Sequence, residues 1–253
     1  MFKVCKINDE FMNKKIKIEV WTDIMCPYCY IGKIHYERAL NQFEHADDVE
    51  LQIKAFQLNP NLPDKGNGYP VVDYLLNTAG LPENKMRQMF DYIENLADKA
   101  GVKFNLPHAI AANTRDAHRL IKLAAKSNLD MQVMTLISKG YFEDAKDYSD
   151  IDFLIATALE AGLNEEEVRQ MLAGNDYHKE VDDDIAEARE LGLDTVPTFL
   201  FERKRAIIGA EPVDVFLHNL KATHTDWALL QTDSAEMKVS KGKSCQTDGF
   251  CEI

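Results

Sequence analysis

The sequence predicts an α/β fold in which two stretches of strands and helix are separated by a long helical segment. Three observations carry this. Period-two apolar patterns lie toward the two ends of the chain, at 16–22, 49–58 and 195–210. A helix-like segment joins the first two of them. Between 71 and 191 apolar residues recur at helical spacing, punctuated by Gly80, Gly101, Gly162, Gly174 and Gly192 where helix C-caps would fall.

In "KIKIEVWTD", Ile16, Ile18 and Val20 alternate with charged residues, the pattern of a first strand. It runs straight into "DIMCPYCYIGK" at 23–33. Pro27 suits the first helical position, where its missing N–H would be unpaired anyway, so a helix is expected from Cys26 to about Phe43. Val49, Leu51, Ile53 and Ala55 in "VELQIKAFQL" mark a second strand and complete a βαβ unit. The turn-rich "PNLPDKGNGYP" at 60–70 reads as a linker. Roughly five to seven helices fit the stretch that follows, one opened by Pro82 and one capped by Asn164 of "NEEE", with Met86, Met89, Leu123 and Leu136 as packing residues. "TVPTFLFE" at 195–202 and "AIIGA" at 206–210 return to strand, and "PVDVFLHNL" forms a final helix. Residues 14–60 and 192–231 thus make one discontinuous α/β domain, 61–191 a helical insertion, and the polar 232–253 a flexible tail.

Composition narrows the function. Forty-two acidic against 29 basic residues give a net charge of −13, which repels phosphate backbones and anionic bilayers, so neither nucleic acid nor membrane is expected as a partner. The one basic knot, "ERKR" at 202–205, reads as a solvated hairpin tip. Five cysteines is an odd number, which excludes a fully paired disulfide framework. The first twenty residues lack the apolar run of an export signal, and no stretch reaches the ~18 apolar residues of a membrane span. The expected location is cytoplasmic.

Two cysteines sit at the junction of strand and helix. A thiol reacts as its thiolate, and a helix N-terminus stabilises that anion through unpaired N–H groups and the positive dipole end. Cys26 has this position and is expected to be the exposed, reactive thiol; Cys29, one helical turn on, can attack a mixed disulfide at Cys26 and release the substrate. Pro27 and Tyr28, between them, would tune the redox poise. A closed zinc site needs four ligands, but the other cysteine pair, Cys245 and Cys251, is six apart in the tail, with no His-rich segment to complete a set. No metal is therefore expected, and a zinc-clipped binding module is the non-enzymatic alternative. Cys245 and Cys251 bracket an Asp248–Gly249 turn signal and are read as an accessory redox pair for Cys26 and Cys29. Cys5 reads as a free thiol. His118, in "NTRDAHRL" at 113–120, reads as a packing or surface histidine, Asn113 and Asp116 as caps or solvated groups, and Asp23 and Lys33 as flanking charges able to modulate the thiols.

Together "DIMCPYCYIGK", "NTRDAHRL" and "LGLDTVPTFLF…IIGAEP" resemble the thioredoxin superfamily, and within it the DsbA-like oxidoreductases of the FrnE type, from Ile16 to about Leu220. The resemblance implies a thioredoxin-like fold with a large all-helical insertion, and a cis Val196–Pro197 bond facing the CxxC, where Val196 and Pro197 bind substrate. It implies thiol–disulfide oxidoreductase activity on protein or small-molecule thiols and disulfides. No cofactor is implied, though glutathione is left open as co-substrate and a thioredoxin-type reductant as partner. The same inserted fold resembles 2-hydroxychromene-2-carboxylate isomerase and kappa-class glutathione transferases, which typically have serine where this chain has Cys26; glutathione-dependent isomerase or transferase activity is the alternative.

Overall fold

Strand β1 (Ile16–Thr22) is covered on both faces, because Glu19 and Trp21 are buried together with Ile16, Ile18 and Val20. Its period-two pattern therefore describes two different interiors. Ile16, Ile18 and Val20 join the main apolar core with Tyr36, Phe199 and Phe216, while Trp21 packs with Ala188 and Val196. Glu19 survives burial because Arg203 grips both its carboxylate oxygens at 2.6 Å. The computed structural model describes residues 15–235, so Cys5, Cys245, Cys251 and most of the expected tail lie outside the described residues.

Helix α1 (Pro27–Leu40) follows β1, and β2 (Val49–Ala55) returns parallel to it, Ile16 pairing with Val49 and Thr22 with Ala55. After the insertion, β5 (Thr198–Phe201) runs antiparallel to β1, and β6 (Arg205–Ile208) pairs with β5 across a hairpin. The four-stranded order is β2-β1-β5-β6. Arg203, in the hairpin turn, bridges buried Glu19 to Glu187, so the "ERKR" tip is anchored to the sheet and the insertion. The segment is the expected solvated hairpin tip, with Arg203 and Lys204 exposed, and Arg203 in addition supplies the counter-charge a buried carboxylate needs.

The insertion is helical apart from a two-residue ladder between β3 (Tyr69–Pro70) and β4 (Ile110–Ala111). Its elements are the short α2 (Val71–Asp73), which continues into a π turn, α3 (Glu83–Lys99), α4 (Arg115–Ala125), α5 (Asp130–Phe142), α6 (Ile151–Glu160), α7 (Glu165–Ala173) and α8 (His178–Glu190). Asn164 caps α7 as its sequence suggests, accepting from the Glu167 amide at 3.1 Å. Gly80, Gly101, Gly162 and Gly192 take the positive φ of a helix stop, whereas Gly174 (φ −103°) does not and instead offers its carbonyl to Arg119. Helix α9 (Val213–Ala235) runs well past the expected 212–220 and enters the segment read as tail. No Gly or Pro interrupts 213–235, and nothing in the local sequence stops it.

Asp184 joins the insertion to the sheet. Its carboxylate on α8 accepts from the Ala55 amide at 2.8 Å and pairs with Lys54 at 3.1 Å and with Lys122, and its carbonyl accepts from the Trp21 indole at 3.0 Å. Among the described residues no helix is long and apolar enough to cross a membrane.

Candidate active site

The register of β1 and β5 builds the site. Trp21 lies opposite Thr198, and continuing that antiparallel pairing by two residues brings Val196 level with Asp23, beside the turn that starts α1. The Val196–Pro197 bond is cis. Cys26 occupies the N-cap of α1 with Pro27 at its first position, and its thiol donates to the Val196 carbonyl at 3.7 Å. Residues 170 positions apart in the chain thus meet at one sulfur.

Cys26 and Cys29 are both free thiols. Cys26 retains only 5% of its surface, so the expectation of an exposed thiol is corrected: Val196, Trp21 and Tyr28 close over it in one apolar cluster. Cys29 lies deeper, with its sulfur accepting from the Asp23 amide at 3.5 Å. Burial pushes the Cys29 thiol well above the usual range, the neighbouring Cys26 adds to the rise, and the Asp23 amide works against it. The inner thiol thus favours its protonated form. Burial likewise raises the Tyr28 hydroxyl, with Tyr92 and Cys26 contributing. Lys33 is buried and bonded to Glu37 at 2.7 Å, and burial lowers its amine against the pull of that carboxylate.

Sequence reasoning left the floor of the site unassigned. Asp23, fully buried, accepts from the Leu58 amide at 2.7 Å through one carboxylate oxygen and lies 3.3 Å from His118 Nε2 through the other. His118 Nε2 is also 3.0 Å from the Phe56 carbonyl, which can only accept, so Nε2 carries the proton. Asn113 accepts from Gln57 at 2.9 Å and donates to the Pro60 carbonyl at 2.8 Å. Arg119, also buried, donates to the carbonyls of Asp176 at 2.7 Å and Gly174 at 2.8 Å, to that of Met171, and to Asp116 at 2.7 Å. "NTRDAHRL" is therefore a latch that ties α4 to the strand-exit segment 56–60 and to α7; Asn113 also accepts from the Arg115 amide at 2.9 Å, the capping role expected of it, and His118 is buried as a packing histidine, whereas Asp116 pairs with Arg119. The signal lay in its spacing, since Asp116 and Arg119, three apart, share a helix face.

A dithiol opening the helix after the first strand of such a sheet, faced by a cis-proline loop, defines a thioredoxin-like redox protein. The chain belongs to the DSBA-like thioredoxin domain family, which matches residues 17–221. It is 31% identical to a probable DsbA oxidoreductase from Streptomyces coelicolor, whose crystal structure superposes with a TM-score of 0.77 over 94% of this chain and 99% of that one. It is 27% identical to the uncharacterized Bacillus subtilis (strain 168) protein YwbO over 206 residues, 79% of this chain and 94% of YwbO. The cytosolic disulfide reductase DsbM from Pseudomonas aeruginosa, solved also with GSH, shares the fold at 15% identity and a TM-score of 0.58, over 84% of this chain and 99% of its own.

Proposed function

We propose that this protein is a cytosolic disulfide reductase that uses Cys26 as nucleophile and Cys29 as resolving thiol, with glutathione returning the pair to its dithiol form. The observation that carries the reading is the Cys26 thiol, at the N-cap of α1, donating to the Val196 carbonyl with Cys29 one turn inside. In the first step the Cys26 thiolate attacks one sulfur of a substrate disulfide; the Cys26–substrate bond forms, the substrate S–S bond breaks, and one substrate thiolate leaves and takes up a proton. Cys29 then gives up its proton and attacks Cys26. The mixed disulfide breaks, the second substrate thiol leaves, and Cys26 and Cys29 are joined. Two electrons have passed to the substrate, and two molecules of glutathione restore the dithiol as one oxidised glutathione is released.

Val196 and Pro197 are read as the docking edge. An extended substrate segment lying along this loop would pair with the Val196 backbone in the manner of strand addition, displacing the Cys26 thiol from the carbonyl it now meets. Tyr28 and Pro27 border the same opening. The cytosolic, reducing direction and the use of glutathione are suggested by the fold shared with DsbM, a cytosolic disulfide reductase solved also with GSH. An intact Cys26–Cys29 dithiol counts against the glutathione-dependent isomerase or transferase alternative, which needs no resolving sulfur.

Turnover of a disulfide-bonded peptide with reduced glutathione tests it. The wild-type chain is expected to accelerate the reaction, and Cys26→Ser to abolish the acceleration. Acceleration that persists in Cys26→Ser, or that is absent from the wild type, overturns the reading.

A further inference from the structure

At the far end of α1 from the thiols, three side chains from two segments converge. His45 and Asp48 belong to one short 3₁₀ turn (Ala46–Asp48, with His45 at its N-cap) between α1 and β2, and His224 projects from α9. The two imidazole rings are stacked, with centroids 3.9 Å apart and planes within 10°. His45 Nδ1 lies 3.7 Å and His224 Nε2 3.4 Å from the same carboxylate oxygen of Asp48. All three ligand atoms fall within 4.8 Å of one another.

We propose that His45, Asp48 and His224 form a binding site for a divalent transition-metal cation, Zn²⁺ above all, which clips α9 to the turn after α1. The distances are the first argument. Ligand atoms about 2.0–2.1 Å from a tetrahedral zinc stand about 3.4 Å from each other, and the two nitrogen–oxygen separations here already approach that edge. Donor chemistry is the second: two imidazoles and one carboxylate suit zinc, copper or nickel, whereas magnesium and calcium take oxygen ligands.

The surroundings add a third argument. Phe43 meets His45 and His224 edge-on at 5.8 and 5.7 Å, and Trp227 leans on His224 at 5.7 Å; because an imidazole binds a metal in its own ring plane, capture of the ion turns one of the two stacked rings out of the stack. A cleft of about 250 Å³, lined by both histidines with Phe43, Glu44, Lys221 and Thr225, opens beside them. A cation can enter there, and with three protein ligands its fourth position is left to water. The 3₁₀ turn explains why His45 and Asp48 point the same way, because residues three apart eclipse in that helix. The site is distinct from the redox centre, since the 14 residues of α1 separate the two by about 20 Å at 1.5 Å per residue.

The test uses the full-length chain with its five cysteines changed to serine, so that no thiolate competes for metal. Zn²⁺ alone is titrated by calorimetry, and proton–nitrogen spectra follow the histidine rings. The expected result is one Zn²⁺ per chain, with the His45 and His224 ring signals shifted. His45→Gln and Asp48→Asn should each weaken binding at least about tenfold, a loss that even an outer-shell partner of a metal ligand can cause. His218→Gln, on another face of α9, should leave it unchanged. If the serine protein does not fold, the same titrations are made with only Cys5, Cys245 and Cys251 changed to serine and with Cys26 and Cys29 oxidised to their disulfide. No binding at millimolar Zn²⁺, or binding that neither His45→Gln nor Asp48→Asn weakens, overturns the proposal.

Discussion

A methyl group on Gly32 would stand 3.1 Å from Cγ of Pro197 and 3.5 Å from the Cα of Ala210. Gly32 lies inside α1, where glycine costs about 1 kcal/mol relative to alanine, yet it lets the helix carrying both thiols approach the proline loop. Gly32→Ala is therefore expected to forfeit the helix-propensity gain, with no rise in unfolding free energy, and to lower kcat/KM for disulfide reduction by pushing Pro197 away from Cys26. Urea unfolding and steady-state kinetics check both. A gain of about 1 kcal/mol with unchanged kinetics would contradict the close approach.

Burial of Cys29 makes stability depend on pH in a predictable direction. Its folded pKa lies above the unfolded value, so the folded chain binds the extra proton and the stabilisation is complete below the ordinary thiol range near ~8.5. It is lost as pH rises from there toward the folded pKa. Between about pH 8.5 and 10 the reduced wild type should lose up to about 1.4 kcal/mol per pH unit relative to Cys29→Ala. Parallel stability curves for the two proteins would show that Cys29 is not held protonated.

Asp23 supports the site from below. Asp23→Ala strands the Leu58 amide in the interior and leaves the His118 Nε2 proton to the Phe56 carbonyl alone, at a cost of about 1–3 kcal/mol in urea unfolding. It should also slow resolution, because the amide at 3.5 Å from the Cys29 sulfur sits on the same residue. An effect under about 1 kcal/mol, the range of a surface polar pair, would mean that the carboxylate bonds do not hold this floor.

Asp184 is expected to be the strongest single tie between insertion and sheet. Asp184→Ala leaves Lys54, Lys122 and the Ala55 amide without their shared acceptor, which should cost about 3–5 kcal/mol. Hydrogen exchange should quicken first in α8 and in β2. Uniform loss of protection across the chain would show instead that the domain and insertion unfold as one unit.

Much of this structure was legible in the residues because period and punctuation act locally. The strand into Cys26, the helix started by Pro27, the Asn164 cap and the strands after Pro197 each follow from a few neighbouring side chains. What stayed hidden depends on long-range pairing. Nothing near Glu19 or Trp21 announces that β1 is covered on both faces, because their partners Arg203 and Asp184 arrive from more than 160 positions away. Gly32 carried an unread signal, since a glycine inside a helix marks a close approach. The His118–Asp23 contact and the His45–Asp48–His224 cluster stay hidden likewise, because each is assembled only when segments 95 or more positions apart meet. The final helix shows the opposite failure: its apolar pattern ends near Leu220, but no Gly or Pro follows as far as Ala235 to stop it.

The most direct measurement is the capture of the mixed disulfide. Cys29→Ser incubated with oxidised glutathione and digested for mass spectrometry should carry one glutathione on Cys26, stable until a second thiol is added. The wild type should pass through the same adduct without accumulating it, and Cys26→Ser should form none at Cys29 at a comparable rate, because that thiol is deeper and held protonated. An adduct found on Cys29 in preference to Cys26, or a Cys29→Ser protein that leaves Cys26 unmodified, would contradict the assignment of nucleophile and resolving thiol.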